Sequence, residues 1–262
     1  MNQEQPADLD RIGAPLCRTI DADTMFGGAV KCRQYRHGYR YSIDSLLLAH
    51  FPQINSAETV LDIGTGCGII GLILLYRYGH QAISVTGLEA QHELLELADV
   101  NRRINGCGDR FQLIHGTVEE SARLLPAEAY TLVVLNPPFY RAGSGRPSVN
   151  RQARIARHQG PDGIGPFLAA AAHAVKNRGR VALIYPAENT VELLAALRQV
   201  KLEAKRIRPV YSYPDPEEQA RLVLVEATKN GSPDLALLPP LYIYRCRGGP
   251  WSAEVAAMYQ PL

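Results

Sequence analysis

The segment "TVLDIGTGCGIIG", residues 59–71, decides the fold. Its first five residues are mostly apolar, with Thr59 at the start and one aspartate inside, which is typical of a strand buried inside a sheet. Glycines then recur at alternate positions, where they permit positive φ and a close approach of main chain to a ligand: Gly64, Gly66 and Gly68. The apolar stretch after them predicts a helix that ends at Gly79. The segment therefore reads as strand, glycine turn and helix.

Strands and helices alternate after this segment. Further buried strands are predicted within residues 81–89, 110–116, 130–136 and 179–186, and helices within residues 91–106, 166–177 and 188–199. Such alternation predicts a parallel sheet that is covered by helices on both faces. The last two predicted strands, residues 204–213 and 220–229, are joined only by "PDPEEQ", which is too short for a helical crossover. We therefore expect them to pair antiparallel.

The alternation also predicts the domain organisation. Residues 1–58 precede it and are expected to form a cap that contributes to the site. Residues 59–245 form the α/β domain, and residues 246–262 form a tail that the pattern does not place.

The composition is that of an ordinary globular protein. The 262 residues are 46% hydrophobic and 21% charged, with a net charge of +2, so affinity for nucleic acid must come from local clusters of charge. The five cysteines are scattered and none forms C-x-x-C, which argues against a disulfide framework and a metal site and fits a reducing cytoplasm. The amino terminus lacks a signal-peptide pattern, and no apolar run approaches the ~20 residues that a membrane span needs.

A carboxylate follows the second strand of the alternation. Glu89 stands where its oxygens can accept hydrogen bonds from both hydroxyls of a ribose, which predicts a nucleoside site at the carboxyl ends of the strands. Gly66, Gly68 and Gly71 do match the G-x-G-x-x-G of a nicotinamide dehydrogenase. However, Gly64 occupies the strand end, and the spacing that starts there is G-x-G-x-G. The register thus favours another nucleoside cofactor.

"VLDIGTGCG" resembles the first motif of class I S-adenosylmethionine-dependent methyltransferases. The resemblance implies S-adenosyl-L-methionine as the cofactor and a Rossmann-like, seven-stranded, mostly parallel sheet with an antiparallel last strand. It also implies that Asp62 orders the loop and meets the amino-acid part of the cofactor. The cofactor-binding residues expected in and around this motif are Asp62, Gly64, Thr65, Gly66, Gly68, Glu89 and Ala90.

A rigid motif ends the fourth strand of the alternation. "NPPF", residues 136–139, is the signature of methyltransferases that act on planar NH₂ groups. The nitrogen of such a group is a weak nucleophile because its lone pair is delocalised. The side-chain oxygen of Asn136 and the carbonyl of Pro137 are expected to accept its hydrogens and to localise the lone pair, while Phe139 offers a face for a flipped base.

Two stretches are rich in positive charge. One follows the NPPF motif, and the other lies upstream of the glycine loop. The loop "RAGSGRPSVNRQARIARHQ", residues 141–159, is rich in arginine and contains no acid, and the upstream stretch "KCRQYRHGYRY", residues 31–41, interleaves basic residues with tyrosines. This composition is typical of a surface that binds phosphates and stacks bases. The candidate nucleic-acid contacts are Arg33, Arg36, Arg141, Arg146, Arg151, Arg154 and Arg157.

Taken over residues 25–245, these motifs resemble the bacterial tRNA (adenine-N6)-methyltransferase family of the tRNA1(Val) type. The resemblance implies that tRNA is the partner, and that further residues close over the cofactor: Tyr39, Arg40, Ser42 and Asp44. The sequence departs from related enzymes after the third strand. Gly116-Thr117-Val118 lacks the usual acid, which leaves Thr117 or Glu119 as a substitute. His115 is expected to be a residue of the strand end and not a catalyst.

The interpretation is therefore methyl transfer to an exocyclic amine of RNA, adenine N6 in tRNA, without a metal or a membrane partner. One alternative is methylation of a protein glutamine at N5, which shares NPPF and has no need of a basic surface. The other is a catalytically silent RNA-binding module, against which the intact Asp62, Glu89 and NPPF speak.

Overall fold

The predicted alternation is present in the computed structural model, which describes residues 19–36, 40–55, 57–137 and 163–262. The main strands are β3 (Thr59–Ile63), β4 (Ser84–Glu89), β5 (Phe111–His115), β6 (Tyr130–Leu135), β7 (Val175–Pro186), β8 (Leu202–Tyr211) and β9 (Leu222–Lys229). The helices among them are α2 (Ile69–Arg77), α3 (His92–Ile104), α4 (Ser121–Leu124), α5 (Gly165–Ala174) and α6 (Thr190–Gln199).

Elements at both ends of the chain complete the structure. The alternation is preceded by a hairpin of β1 (Ile20–Met25) and β2 (Val30–Tyr35) and by helix α1 (Ile43–His50). It is followed by β10 (Ala236–Leu237), β11 (Leu241–Tyr242) and α7 (Ala253–Met258). Helix α7 packs on α1 and β11, and its Val255 is fully buried. The division into cap, domain and tail remains a prediction.

Strands β3 to β11 form one sheet in the order β10-β8-β9-β7-β6-β3-β4-β5, with β11 beside β8, and β1 and β2 form a separate two-stranded sheet. Strand β9 runs antiparallel to β7 and to β8, and the other pairings in this sheet are parallel. The predicted antiparallel pair at the end of the alternation is thus confirmed, as is the mostly parallel α/β sheet. Two short strands, β10 and β11, extend the seven that the sequence predicts.

Two hydrophobic cores flank the sheet because successive side chains of a strand point to opposite faces. In β6, Leu132 and Val134 face the core beneath α1, α2 and α3, whereas Val133 and Leu135 face the core beneath α5 and α6. All four side chains are fully buried, as a central parallel strand requires.

Helix α5 is shorter than the sequence pattern predicts. It ends at Ala174, and Val175 to Asn177 belong to β7 instead of the helix. The Cα of Val175 pairs with Tyr130 of β6, and the ammonium of Lys229 donates to the carbonyls of Ala172 and Val175 at 2.7 and 3.1 Å. These tertiary contacts end the helix where its propensity alone would continue it. Within the described ranges, no helix is long and apolar enough to cross a membrane.

Candidate functional site

The glycine loop and Asn136 leave the sheet side by side. Strands β3 and β6 are parallel neighbours, and the last residue of one, Ile63, pairs with the last residue of the other, Leu135. Since neighbouring strands lie about 5 Å apart, the loop that begins at Gly64 and the side chain of Asn136 emerge at adjacent points of one sheet edge. This edge, at the carboxyl ends of the parallel strands, is where ligands bind in open α/β sheets.

The glycine loop folds back onto β4. Gly64, Gly66 and Gly68 have φ of +74°, +59° and +85°, a region that favours residues without a Cβ. The amide of Gly64 donates to the carbonyl of Leu88 at 2.8 Å, and the amide of Gly66 donates to Oε2 of Glu89 at 2.9 Å. The predicted loop and the predicted acid are therefore in direct contact.

Asp62 is a fully buried carboxylate beneath this loop. Its Oδ2 accepts a 2.6 Å hydrogen bond from the hydroxyl of Thr65, while its Oδ1 has no hydrogen-bond partner among the described residues. Burial raises the pKa of Asp62 to about 7, although the bond from Thr65 lowers it, and the nearby Glu89 carboxylate raises it further. A buried carboxyl oxygen without a partner is a position that a ligand donor would satisfy.

Glu89 ends β4 with its carboxylate held by main chain. Besides the amide of Gly66, the amide of Gln91 donates to its Oε1 at 2.8 Å. Burial raises the pKa of Glu89, and these amide donors oppose that rise. A carboxylate has about four acceptor sites, so two remain for a ligand.

Asn101 joins the glycine loop to the amino-terminal hairpin, a role that the sequence interpretation did not assign. Its amide is fully buried and donates to the carbonyls of Cys67 and Arg33 at 2.8 and 2.9 Å, and its oxygen accepts from the amide of Arg33. One signal was available in the sequence, since Leu94, Leu97 and Asn101 share the apolar face of α3.

Two buried thiols lie beneath the same contact. Sγ of Cys32 in β2 is 3.8 Å from Sγ of Cys67 in the glycine loop. The contact between the two thiols, with burial, raises the pKa of Cys32. The contact packs β2 against the glycine loop.

Asn136 is held by a residue that the sequence interpretation missed. Its Nδ2 donates to the hydroxyl of Ser45 in α1 at 3.3 Å. Ser45 is buried, whereas Asn136 is half-buried and Pro137 after it is buried. With Nδ2 engaged in this bond, Oδ1 of Asn136 is the amide atom that remains for a substrate donor.

Three of the residues expected to close over the cofactor have local partners in the structure: Arg40, Ser42 and Asp44. The hydroxyl of Ser42 accepts from the amide of Asp44 and caps α1, and burial raises the pKa of Asp44. Arg40 forms ion pairs with Asp21 at 2.7 Å and Asp23 at 3.2 Å, both in β1. A cofactor role for these residues remains a prediction.

Of the upstream arginines expected to bind RNA, Arg36 is engaged through its side chain and Arg33 through its main chain. Arg36 pairs with Asp21 at 3.0 Å, which holds the pKa of Asp21 below its usual range together with Arg40, the larger cause. Arg33 bonds through its main chain to Asn101. The carboxylates of β1 thus neutralise part of this basic stretch. The sequence interpretation did not predict these ion pairs, because β1 and the basic stretch are separate segments.

The residues after the third strand of the alternation lie close to Glu89. His115 ends β5, and its Nε2 lies 3.1 Å from the carbonyl oxygen of Ala90. The amide of Thr117 donates to the carboxylate of Glu120 at 3.1 Å. Thr117 and Ala90 thus lie near Glu89. Their expected contacts with the cofactor remain predictions. Other expected site residues lie outside the described ranges: Tyr39, Phe139, Arg141, Arg146, Arg151, Arg154 and Arg157.

A family model described as the methyltransferase small domain matches residues 42–200, which is more than half of the chain. The chain belongs to the methyltransferase small-domain family. It is an S-adenosylmethionine-dependent methyltransferase, as the first motif predicts.

Named relatives extend over most of this methyltransferase. A protein of Tolumonas auensis named tRNA1(Val) (adenine(37)-N6)-methyltransferase is 27% identical over 226 residues, which are 80% of this chain and 92% of the relative. A protein of the same name from Trichodesmium erythraeum is 28% identical and covers 77% of this chain and 82% of its own. The family resemblance seen in the sequence is thereby confirmed.

The fold of this methyltransferase recurs in solved structures. A protein of Agrobacterium tumefaciens described as a predicted O-methyltransferase superposes with a TM-score of 0.66 at 21% identity, over 82% of this chain and 95% of that one. At this identity the likeness concerns the fold alone.

Proposed function

We propose that this methyltransferase transfers the methyl group of S-adenosylmethionine to an exocyclic amine of RNA, adenine N6 in a tRNA. The observation that carries the proposal is the pairing of Ile63 with Leu135. It puts the start of the glycine loop and Asn136 on neighbouring strand ends, about 5 Å apart. A methyl donor bound at the loop and an NH₂ acceptor bound at Asn136 would therefore be adjacent.

The buried carboxylates fit the cofactor. S-Adenosylmethionine carries an ammonium group and a ribose diol. The unpartnered Oδ1 of Asp62 would accept from the ammonium, and the free acceptor sites of Glu89 would accept from the ribose hydroxyls. The cofactor supplies a methyl group on a sulfonium, and the chain's own residues bind and orient it.

Asn136 would orient the acceptor. Its Oδ1 and the carbonyl of Pro137 would each accept a hydrogen from the target NH₂, so that the nitrogen lone pair points toward the methyl group. Because these acceptors act on the nitrogen as its charge develops, they would contribute mainly in the transition state. Ser45 would keep Oδ1 rather than Nδ2 directed at the amine.

The tRNA substrate is supported by the relatives' names and by the basic residues around the motif. Relatives that match about four fifths of this chain are named as adenine-N6 methyltransferases of tRNA1(Val). Five arginines follow NPPF within residues 141–159. A protein substrate would have no need of such charge.

The test is the Asn136→Ala variant, assayed by mass spectrometry of nucleosides from tRNA after reaction. We expect the wild-type protein to form N6-methyladenosine. We expect the variant to bind the cofactor normally but to react about 10²-fold more slowly, as for loss of one transition-state acceptor. A wild-type rate for the variant would contradict the assigned site. Methyl transfer to protein glutamine, and none to tRNA, would support the alternative substrate.

A further inference from the structure

The carboxyl-terminal segment passes over the same sheet edge as the proposed active site. Strand β7 runs parallel to β6, β9 runs antiparallel to β7, and β8 runs antiparallel to β9. Strand β8 therefore runs parallel to β6. Strand β11 runs parallel to β8 at Val210 and Tyr211. Beyond it, the amides of Ile243 and Tyr244 donate to the carbonyls of Tyr211 and Ser212 at 2.9 and 2.8 Å. The chain therefore continues past the carboxyl end of β8.

A hairpin with stacked rings follows at this point. Tyr244 pairs antiparallel with Trp251, and their rings stack with centroids 4.8 Å apart at 12°. Tyr259, after α7, stacks on Trp251 at 5.8 Å and 26°. We call residues 244–251 with Tyr259 the aromatic hairpin. Trp251 is 36% exposed, so part of this stack is accessible to solvent.

The aromatic hairpin also carries unpaired positive charge. Arg245 and Arg247 are exposed, and their guanidinium groups have no hydrogen bond or ion pair with other described residues. By contrast, Arg208 on the neighbouring β8 donates two bonds of 2.6 and 2.7 Å to the carboxylate of Glu254. Free cations beside exposed rings are the combination that binds nucleic-acid phosphates and stacks bases.

The position matches a substrate that extends away from its reacting base. Four strand spacings separate β6 from β11 through β7, β9 and β8, which is about 20 Å along the edge. A distance of about 20 Å spans only a few nucleotides of a nucleic-acid strand. A nucleic acid with one base at Asn136 can therefore reach the aromatic hairpin.

We propose that the aromatic hairpin is a second RNA-binding surface, where Arg245 and Arg247 contact phosphates of the substrate tRNA and the exposed ring of Trp251 contacts an unpaired base. This proposal rests on the proposed function, since it assumes an RNA substrate. It concerns other arginines than those of residues 141–159 and those that form ion pairs with β1. A second copy of this chain is the competing occupant of the surface.

The experiment compares Arg245→Glu/Arg247→Glu with a matched control, Lys176→Glu/Lys201→Glu. Both controls are exposed lysines near the amino ends of β7 and β8, at the opposite sheet edge, and both variants change the charge equally. The affinity for tRNA is measured at several salt concentrations, together with kcat at saturating tRNA, cofactor affinity and molecular mass in solution.

We expect the hairpin variant to weaken tRNA binding by at least about tenfold and to reduce the slope of log K against log salt by about two. Its kcat at saturation and its cofactor affinity should stay at wild-type values, and the control should bind within about twofold of wild type. Trp251→Ala should weaken binding and Trp251→Phe should retain it, with unchanged thermal midpoints showing that both fold.

Unchanged affinity and slope in the hairpin variant would overturn the proposal, while a wild-type protein that still methylates tRNA would leave the proposed function standing. A change in molecular mass of the hairpin variant would assign the surface to a second copy of the chain instead. A wild-type protein that does not methylate tRNA would overturn both.

Discussion

At the scale of single residues, the proposed chemistry depends on which atom of one amide faces the substrate. Asn136 can present either its oxygen or its NH₂ group, and only the oxygen accepts a hydrogen from an amine. In the structure Nδ2 donates to the hydroxyl of Ser45, which leaves the oxygen for the substrate. Ser45 is 1% exposed, so water does not compete for this hydroxyl.

We therefore expect Ser45→Ala to lower kcat by roughly three- to tenfold, the magnitude of one neutral hydrogen bond. The amide of Asn136 would then turn freely, while KM for tRNA and the affinity for the cofactor should hardly change. Steady-state kinetics with both substrates measure this split. In the Asn136→Ala background the same substitution should have no further effect, because its partner is absent. An equal additional loss in that background would show that Ser45 acts through another residue.

At the scale of elements, helix α2 is fixed to the sheet by a close approach at Gly71. A Cβ built on this residue would lie 2.6 Å from Cζ of Phe111 and 3.1 Å from Cγ1 of Val85. Phe111 is fully buried on β5, so its ring cannot move away cheaply. This packing sets the position of α2, and with it the glycine loop that ends at Gly68.

Gly71→Ala should therefore destabilise the protein by about 1–2 kcal/mol, since the cost of overpacking exceeds the gain in helix propensity of about 1 kcal/mol. Gly165→Ala is the matched control, because Gly165 also lies in a helix and has no atom within 4 Å of the added Cβ. Thermal or urea unfolding would show the difference. If both variants were equally stable, close packing at Gly71 would not be what positions α2.

At the scale of the whole molecule, one sheet edge carries the buried carboxylates, Asn136 and the aromatic hairpin. The protein places Asp62 in full burial without a cation beside its Oδ1 among the described residues. Its pKa of about 7 lies above the ordinary 3.8, so the folded protein binds a proton that the unfolded chain has already lost. The charge state of this site thus affects the stability of the entire fold.

Because this pKa is raised in the folded state, Asp62 destabilises the fold least at or below pH 4. As the pH rises from 4 to 7, the free energy of unfolding decreases by a total on the order of 4 kcal/mol, and above pH 7 the contribution of Asp62 is constant. Asp62→Asn should therefore gain in relative stability across this range. The measurement is the free energy of unfolding of both proteins from pH 4 to pH 8 without cofactor. A difference that does not vary with pH would contradict the raised pKa.

Sequence reasoning found the elements because their signals are local. Apolar runs, glycine stops and the period of α3 are readable within a dozen residues, and so is the antiparallel pairing of β8 with β9 across a short connection. It overran α5 by three residues, because the ending of this helix is decided by the pairing of Val175 with Tyr130 and by the contacts of Lys229.

By itself, the sequence determined the parallel α/β sheet, the glycine loop, the acid at the end of β4 and the amide at the end of β6, since each has a local sequence pattern. Only the tertiary structure decided which groups meet. Ser45 and Asn136 are 91 positions apart, and Arg40, in the segment before α1, is 19 positions from Asp21 of β1. The carboxyl-terminal segment reaches the functional edge only through its pairing with β8. Such contacts depend on how elements pack, and no local pattern specifies the packing.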